Sequence, residues 1–142
     1  MKFKSRKDQF FTFVIYGSVV SMLTLAIISF SNKHLQIEDI LGTIIIILSC
    51  LFILWLFYGT YYVITSKMLH YHCGPIRGKI ALEKITSIHK GKTMWVGLKP
   101  ATAKNGLIIK YNTFDEIYIS PQTNELFLKE ILNRNPNIKI IE

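Results

Sequence analysis

The sequence predicts a membrane-anchored α+β chain: an N-terminal transmembrane helical hairpin, then a small antiparallel β domain ending in a helix. Three observations predict it. Phe10–Phe30 and Ile40–Gly59 are runs of 21 and 20 residues without a charge. From Thr60 the pattern changes to short β-like runs punctuated by turns. One amphipathic helical pattern follows near the C-terminus. The expected organisation is a basic cytoplasmic tail (1–9), a first transmembrane helix (10–30), an external loop (31–39), a second transmembrane helix (40–59) and a cytoplasmic domain (60–142). Half of the 142 residues are hydrophobic and 18% are charged. Disorder of the whole chain is thereby excluded, since disorder needs low hydrophobicity and high charge density.

At about 1.5 Å per residue the first run makes a helix about 31 Å long, enough for a hydrocarbon core of about 30 Å. Neither run has a polar face to offer water, so neither reads as a surface helix. The basic start and Ser29-Phe30-Ser31 loosely resemble a signal peptide. However, the apolar stretch is too long for an h-region and a second span follows at once, so the segment reads as an anchor. Lys2, Lys4, Arg6 and Lys7 precede the first span, while the short loop carries only Lys33, offset by Glu38 and Asp39. The positive-inside rule then places both termini in the cytoplasm and the short loop outside. Aromatics from Phe10 to Tyr16 and from Trp55 to Tyr62 are expected to gather at that same interface. Gly17 and Ser21, four residues apart, either let the helices approach closely or are merely tolerated. Cys50 reads as an apolar filler, and two cysteines are too few for a disulfide framework.

Strands are expected at Thr60–Ser66, Leu69–Cys73, Ile76–Leu82 and Ile85–His89, from β-branched and aromatic enrichment and from alternation. A loop from Thr93 to Lys104 precedes a hairpin, Gly106–Tyr111 and Glu116–Ser120, turning at Asn112-Thr113-Phe114-Asp115. The closing helix is read with Ser120 as N-cap and Pro121 at its first position. Its apolar stripe is Phe127, Leu128, Ile131 and Leu132, and Asn135-Pro136 ends it.

Several of these residues also carry a resemblance. Tyr62-Val63-Ile64 with Leu69 and Gly74, Ile80 through Ile85, Ser87-Ile88, Pro100-Ala101, Leu107, Ile109 and Tyr111, and Ile119-Ser120-Pro121 before Phe127 and Leu132 resemble a bacterial PH-like domain. The similarity is to the YyaB-like group, in which two membrane helices precede the domain, and Lys2 to Asp8 resemble the start of such proteins. Ala103-Lys104-Asn105-Gly106 departs from the expected pattern. The resemblance implies a PH-like fold and no catalytic set or cofactor. That group includes bacteriocin self-immunity proteins of the SunI type, which implies as partner a peptide bacteriocin or its membrane target. The alternative is a general lipid- or protein-binding membrane module with a housekeeping or stress role.

Enzyme chemistry finds little footing. His70, His72 and Cys73 have metal-ligand character, but on a strand the histidines share one face and Cys73 takes the other. Ser66, Ser87 and Ser120 lack the context of an activated nucleophile, and no phosphate-binding glycine loop occurs. The basic stretch is more informative: from Arg77 to Lys110 eight basic residues face one acid, Glu83. Among them Met94, Trp95, Val96 and Leu98 form an apolar tip, rimmed by Lys90, Lys92, Lys99 and Lys104. Such a loop suits anionic lipid head groups of the bilayer, where each cation contributes about 1 kcal/mol. The competing reading is a solvated positive face with Trp95 tucked into the core. Nucleic acid is not expected, because the chain is tethered and has no reader motif.

Overall fold

The structure is a computed structural model and describes residues 1–31, 36–94 and 96–142. Strand β1 (Lys2–Lys4) leads into helix α1 (Gln9–Phe30), which is followed by α2 (Ile37–Tyr58). Then come β2 (Thr60–Ile64), β3 (Met68–Cys73), β4 (Ile76–Ala81), β5 (Ile85–Lys90), β6 (Leu107–Tyr111), β7 (Asp115–Ile119), helix α3 (Asn124–Arg134) and β8 (Lys139–Ile141). Two long apolar helices, antiparallel sheets and a C-terminal helix match the fold class expected from the sequence.

Both long helices have 22 residues and are long and apolar enough to cross a membrane. Asp8 caps α1: its Oδ1 accepts the Phe11 N–H at 2.7 Å, satisfying a donor the helix start leaves open. The helices meet where Cys50 Sγ lies 4.0 Å from Met22 Sδ, and where the Tyr16 and Tyr58 hydroxyls pair. A Cβ added at Gly17 would meet nothing within 4 Å. Gly17 is therefore a tolerated small residue, outside the helix contact. Of the loop expected at 31–39, residues 32–35 lie outside the described residues, Lys33 among them.

The strands form two four-stranded sheets, ordered β1-β2-β3-β4 and β7-β6-β5-β8. All pairings are antiparallel except β5 with β8. The six expected strands are present, and two three-residue strands join them from the chain ends. Hence the segment expected as a basic cytoplasmic tail also supplies a strand of the first sheet, with Phe3 opposite Tyr62. Alternation puts Phe3, Tyr62, Ile64 and Leu69 inside, against Ile88, Leu107, Ile109 and Ile117 of the second sheet. Helix α3 closes the core with Phe127 and Ile131, both fully buried. Phe127 stands edge-on to Phe3 at 5.2 Å and to Tyr62 at 6.3 Å.

Helix α3 begins at Asn124, later than the sequence suggests, and Thr123 at its N-cap makes no side-chain cap bond. Ser120 is drawn elsewhere, its Oγ 2.9 Å from Ser5 Oγ and accepting Thr102 N–H at 3.0 Å. Pro121 pairs with Ser5 in an isolated bridge. Tyr62, expected among the interfacial aromatics, is instead wholly buried. Its hydroxyl donates to Pro100 O at 2.6 Å and accepts Ser120 N–H at 3.1 Å. Burial pushes the Tyr62 phenol up to about 12, so it stays a neutral donor at every physiological pH.

Candidate functional site

Consider first how the chain attaches its domain to the two helices. Only Ser5–Asp8 separate β1 from α1, and only Gly59 separates α2 from β2. A Cβ at Gly59 would sit 2.6 Å from Trp55 O, so this junction requires glycine. β1 and β2 are neighbours in one sheet, and the helices therefore leave the domain side by side.

The loop that the sequence singles out lies at the foot of α1. Arg6 Nη2 donates to Lys104 O at 2.6 Å and to Asn105 O at 2.9 Å. Asp8, whose one oxygen caps α1, accepts the Lys104 N–H at 2.7 Å with the other. A single carboxylate thus ties the loop to the helix start, and Lys104 Nζ lies 3.6 Å from the centre of the Phe10 ring. Ala103–Gly106 is the segment these two side chains hold. Its glycine is also steric: a Cβ at Gly106 would stand 2.2 Å from Ile119 O.

The expected site residues divide. Val96 is 83% and Leu98 40% exposed, while Met94 is buried. Met94 therefore leaves the expected apolar tip and lines a small cavity with Phe11, Ala101 and Tyr118. Trp95 lies outside the described residues. Lys92 and Lys99 are exposed at the loop. Lys90 is drawn off, its Nζ 3.3 Å from Glu125 and 4.0 Å from Glu142. Other members of the basic run scatter across the fold: Lys110 faces Glu116 in register, and Arg77 and Lys79 belong to the first sheet.

That first sheet carries a basic surface the sequence reading missed. Register aligns Lys4, Tyr61, His72 and Arg77 in one row across four strands, and Lys2, Val63, His70 and Lys79 in the next. Both rows lie opposite the inward row of Phe3, Tyr62 and Tyr71, because side chains alternate. None of the four strands contains an acid. Lys2 Nζ sits 4.0 Å over the Tyr61 ring, which stacks on His72 at 4.5 Å and 9°. Burial lowers His72 below the ordinary histidine range, with Arg77, His70 and Lys2 adding to it. Next to this face, Lys7 Nζ lies 3.5 Å from the centre of the Tyr58 ring and 4.7 Å from that of Phe57. Lys7 is lowered from the usual lysine range by burial and by the charge of Lys4.

The strand places His70 and His72 on one face and Cys73 on the other, where its Sγ approaches Thr60 Oγ1 at 3.4 Å. Among the described residues no group of three His, Cys, Asp or Glu stands close enough to hold a metal. Comparison with known families gives one match: residues 60–135, just over half of the chain, match the model of the family described as Bacterial PH domain. The match runs from β2 through α3 and excludes β1 and both long helices. No curated protein and no solved structure matches the chain.

Proposed function

This chain is a member of the bacterial PH domain family, and on that premise we propose that it is a non-enzymatic interaction module held at the bacterial cell membrane. PH domains are generally interaction modules without catalysis. In this reading α1 and α2 cross the bilayer, residues 60–142 lie in the cytoplasm with both termini, and the partner surface includes the bilayer itself. One observation carries the proposal: the two apolar helices run almost without linkers into adjacent strands of one sheet. Such a junction keeps the domain at head-group height, where Val96 and Leu98 with Lys92, Lys99 and Lys104 meet the inner leaflet. The resemblance to the YyaB-like group supports a finer reading, self-immunity against a secreted bacteriocin, with the peptide or its membrane target as partner. Expression in a sensitive strain followed by bacteriocin challenge tests that reading, and unchanged killing would oppose it.

Loop contact is tested on the full chain with Cys50 and Cys73 replaced by Ala and a polarity-sensitive dye on Val96→Cys. In vesicles containing anionic lipid the dye should emit further to the blue than in neutral vesicles and resist an aqueous quencher. Added salt should weaken both effects, because screening shortens the reach of the lysines. Equal quenching in anionic vesicles, neutral vesicles and detergent would overturn the loop's part in the proposal.

A further inference from the structure

At the foot of the helices the basic face turns into a cleft of about 230 Å³, lined by Lys2, Lys4, Lys7, Tyr58, Thr60 and Tyr61. We infer that this cleft is a binding site for the phosphate head group of an anionic lipid.

Its three lysines come from β1 and the β1–α1 connection, outside the segment that matches the family. Three ammonium groups converge there, all on exposed residues and none in an ion pair among the described residues. Lys4 and Lys7 are close enough to repel each other's charge. Such an arrangement is unfavourable on its own and becomes favourable when an anion sits between the charges. The aromatic rings give Lys2 and Lys7 fixed positions: Lys2 is held over Tyr61 and Lys7 over Tyr58. Position selects a lipid over a soluble anion. Tyr58 is the last residue of α2, and Lys7 lies two residues before α1. If the helices span the bilayer, which is the premise taken from the preceding section, the cleft stands level with the lipid phosphates. The outer rows of the sheet continue the positive field beyond the cleft with Lys79 and Arg77.

Trp55, 53% exposed and one turn before Tyr58 on α2, serves as the reporter. The full chain carrying Trp95→Phe is placed in bilayers of phosphatidylcholine and phosphatidylglycerol, with bromine on the acyl chains of one lipid or the other. Trp55 should be quenched more by the brominated anionic lipid, and salt should reduce the preference. Lys4→Gln with Lys7→Gln should lower it by about five-fold per lysine, while Lys4→Arg with Lys7→Arg should keep it. The remote pair Lys110→Gln with Lys139→Gln should also leave it intact. These lysines are exposed, and the structural part of Lys4 is played by its main chain, which accepts Gln122 N–H at 3.0 Å. A circular dichroism melt confirms that each variant is folded.

Equal quenching by the two lipids, or a preference unmoved by the glutamine pair, would overturn the site while leaving the spanning helices in place. Absence of quenching by either lipid would overturn the membrane reading along with the site. Loss of the preference on adding soluble glycerol phosphate would assign the cleft to a free phosphate instead.

Discussion

A fragment beginning at Thr60 is expected not to fold cooperatively, although it contains the whole segment that matches the PH family. Removing β1 takes away Phe3, 7% exposed and edge-on to Phe127. Deleting a buried aromatic costs about 3–5 kcal/mol. It also strips Ser5 from the buried hydroxyl cluster, where Thr102 Oγ1 lies 2.9 Å and Tyr62 Oη 3.1 Å from Ser5 Oγ. A buried polar group left unpaired costs about 1–3 kcal/mol. Against a total domain stability of about 5–15 kcal/mol, these losses are decisive. Joining residues 1–8 to Thr60 through a flexible linker, without the helices, should restore a single sharp melting transition. Equal cooperative melting of the fragment with and without residues 1–8 would show that β1 is dispensable.

Phe127→Ala is the next largest expected effect. The ring is fully buried and touches both Phe3 and Tyr62, so it links α3 to the first sheet. Truncation should cost about 3–5 kcal/mol, enough to leave the β domain of a marginal protein largely open. Limited proteolysis of the full chain in detergent reads this out. Cuts should appear within 60–142, with the helical segment spared. Protease resistance equal to the unmodified chain would mean that α3 contributes little to the core.

Much of this fold is legible in the residues. Two uncharged runs leave a helix no polar face, and alternation from Thr60 to Ser120 marks six strands. β1 is not legible, because Lys2-Phe3-Lys4 offers one inward residue between two charges and pairs with residues about sixty positions away. β8 is hidden by the same shortness. Ser120-Pro121 carries a helix-start signature, yet the Ser120 hydroxyl is satisfied by Ser5 and Thr102, which only the folded chain brings near. Charge clustering along the chain misled in a related way. The basic run from Arg77 to Lys110 is divided between two sheets, and Lys90 is neutralised by acids from α3 and the C-terminus. The denser positive surface joins Lys2, Lys4 and Lys7, which in the sequence serve only to orient the first helix, with Arg77 and Lys79. Cross-strand register makes that surface, and no linear window contains it.

The central claim is that α1 and α2 cross the bilayer and hold the domain against its cytoplasmic face. Single cysteines at Gln36 and at Phe114, a turn residue 95% exposed, in a chain with Cys50 and Cys73 replaced by Ala, test it with a membrane-impermeant maleimide on intact cells. The account predicts that Gln36→Cys is labelled from outside and that Phe114→Cys is labelled only after the cells are broken. Labelling of Phe114→Cys in intact cells, or of Gln36→Cys only after lysis, would contradict it.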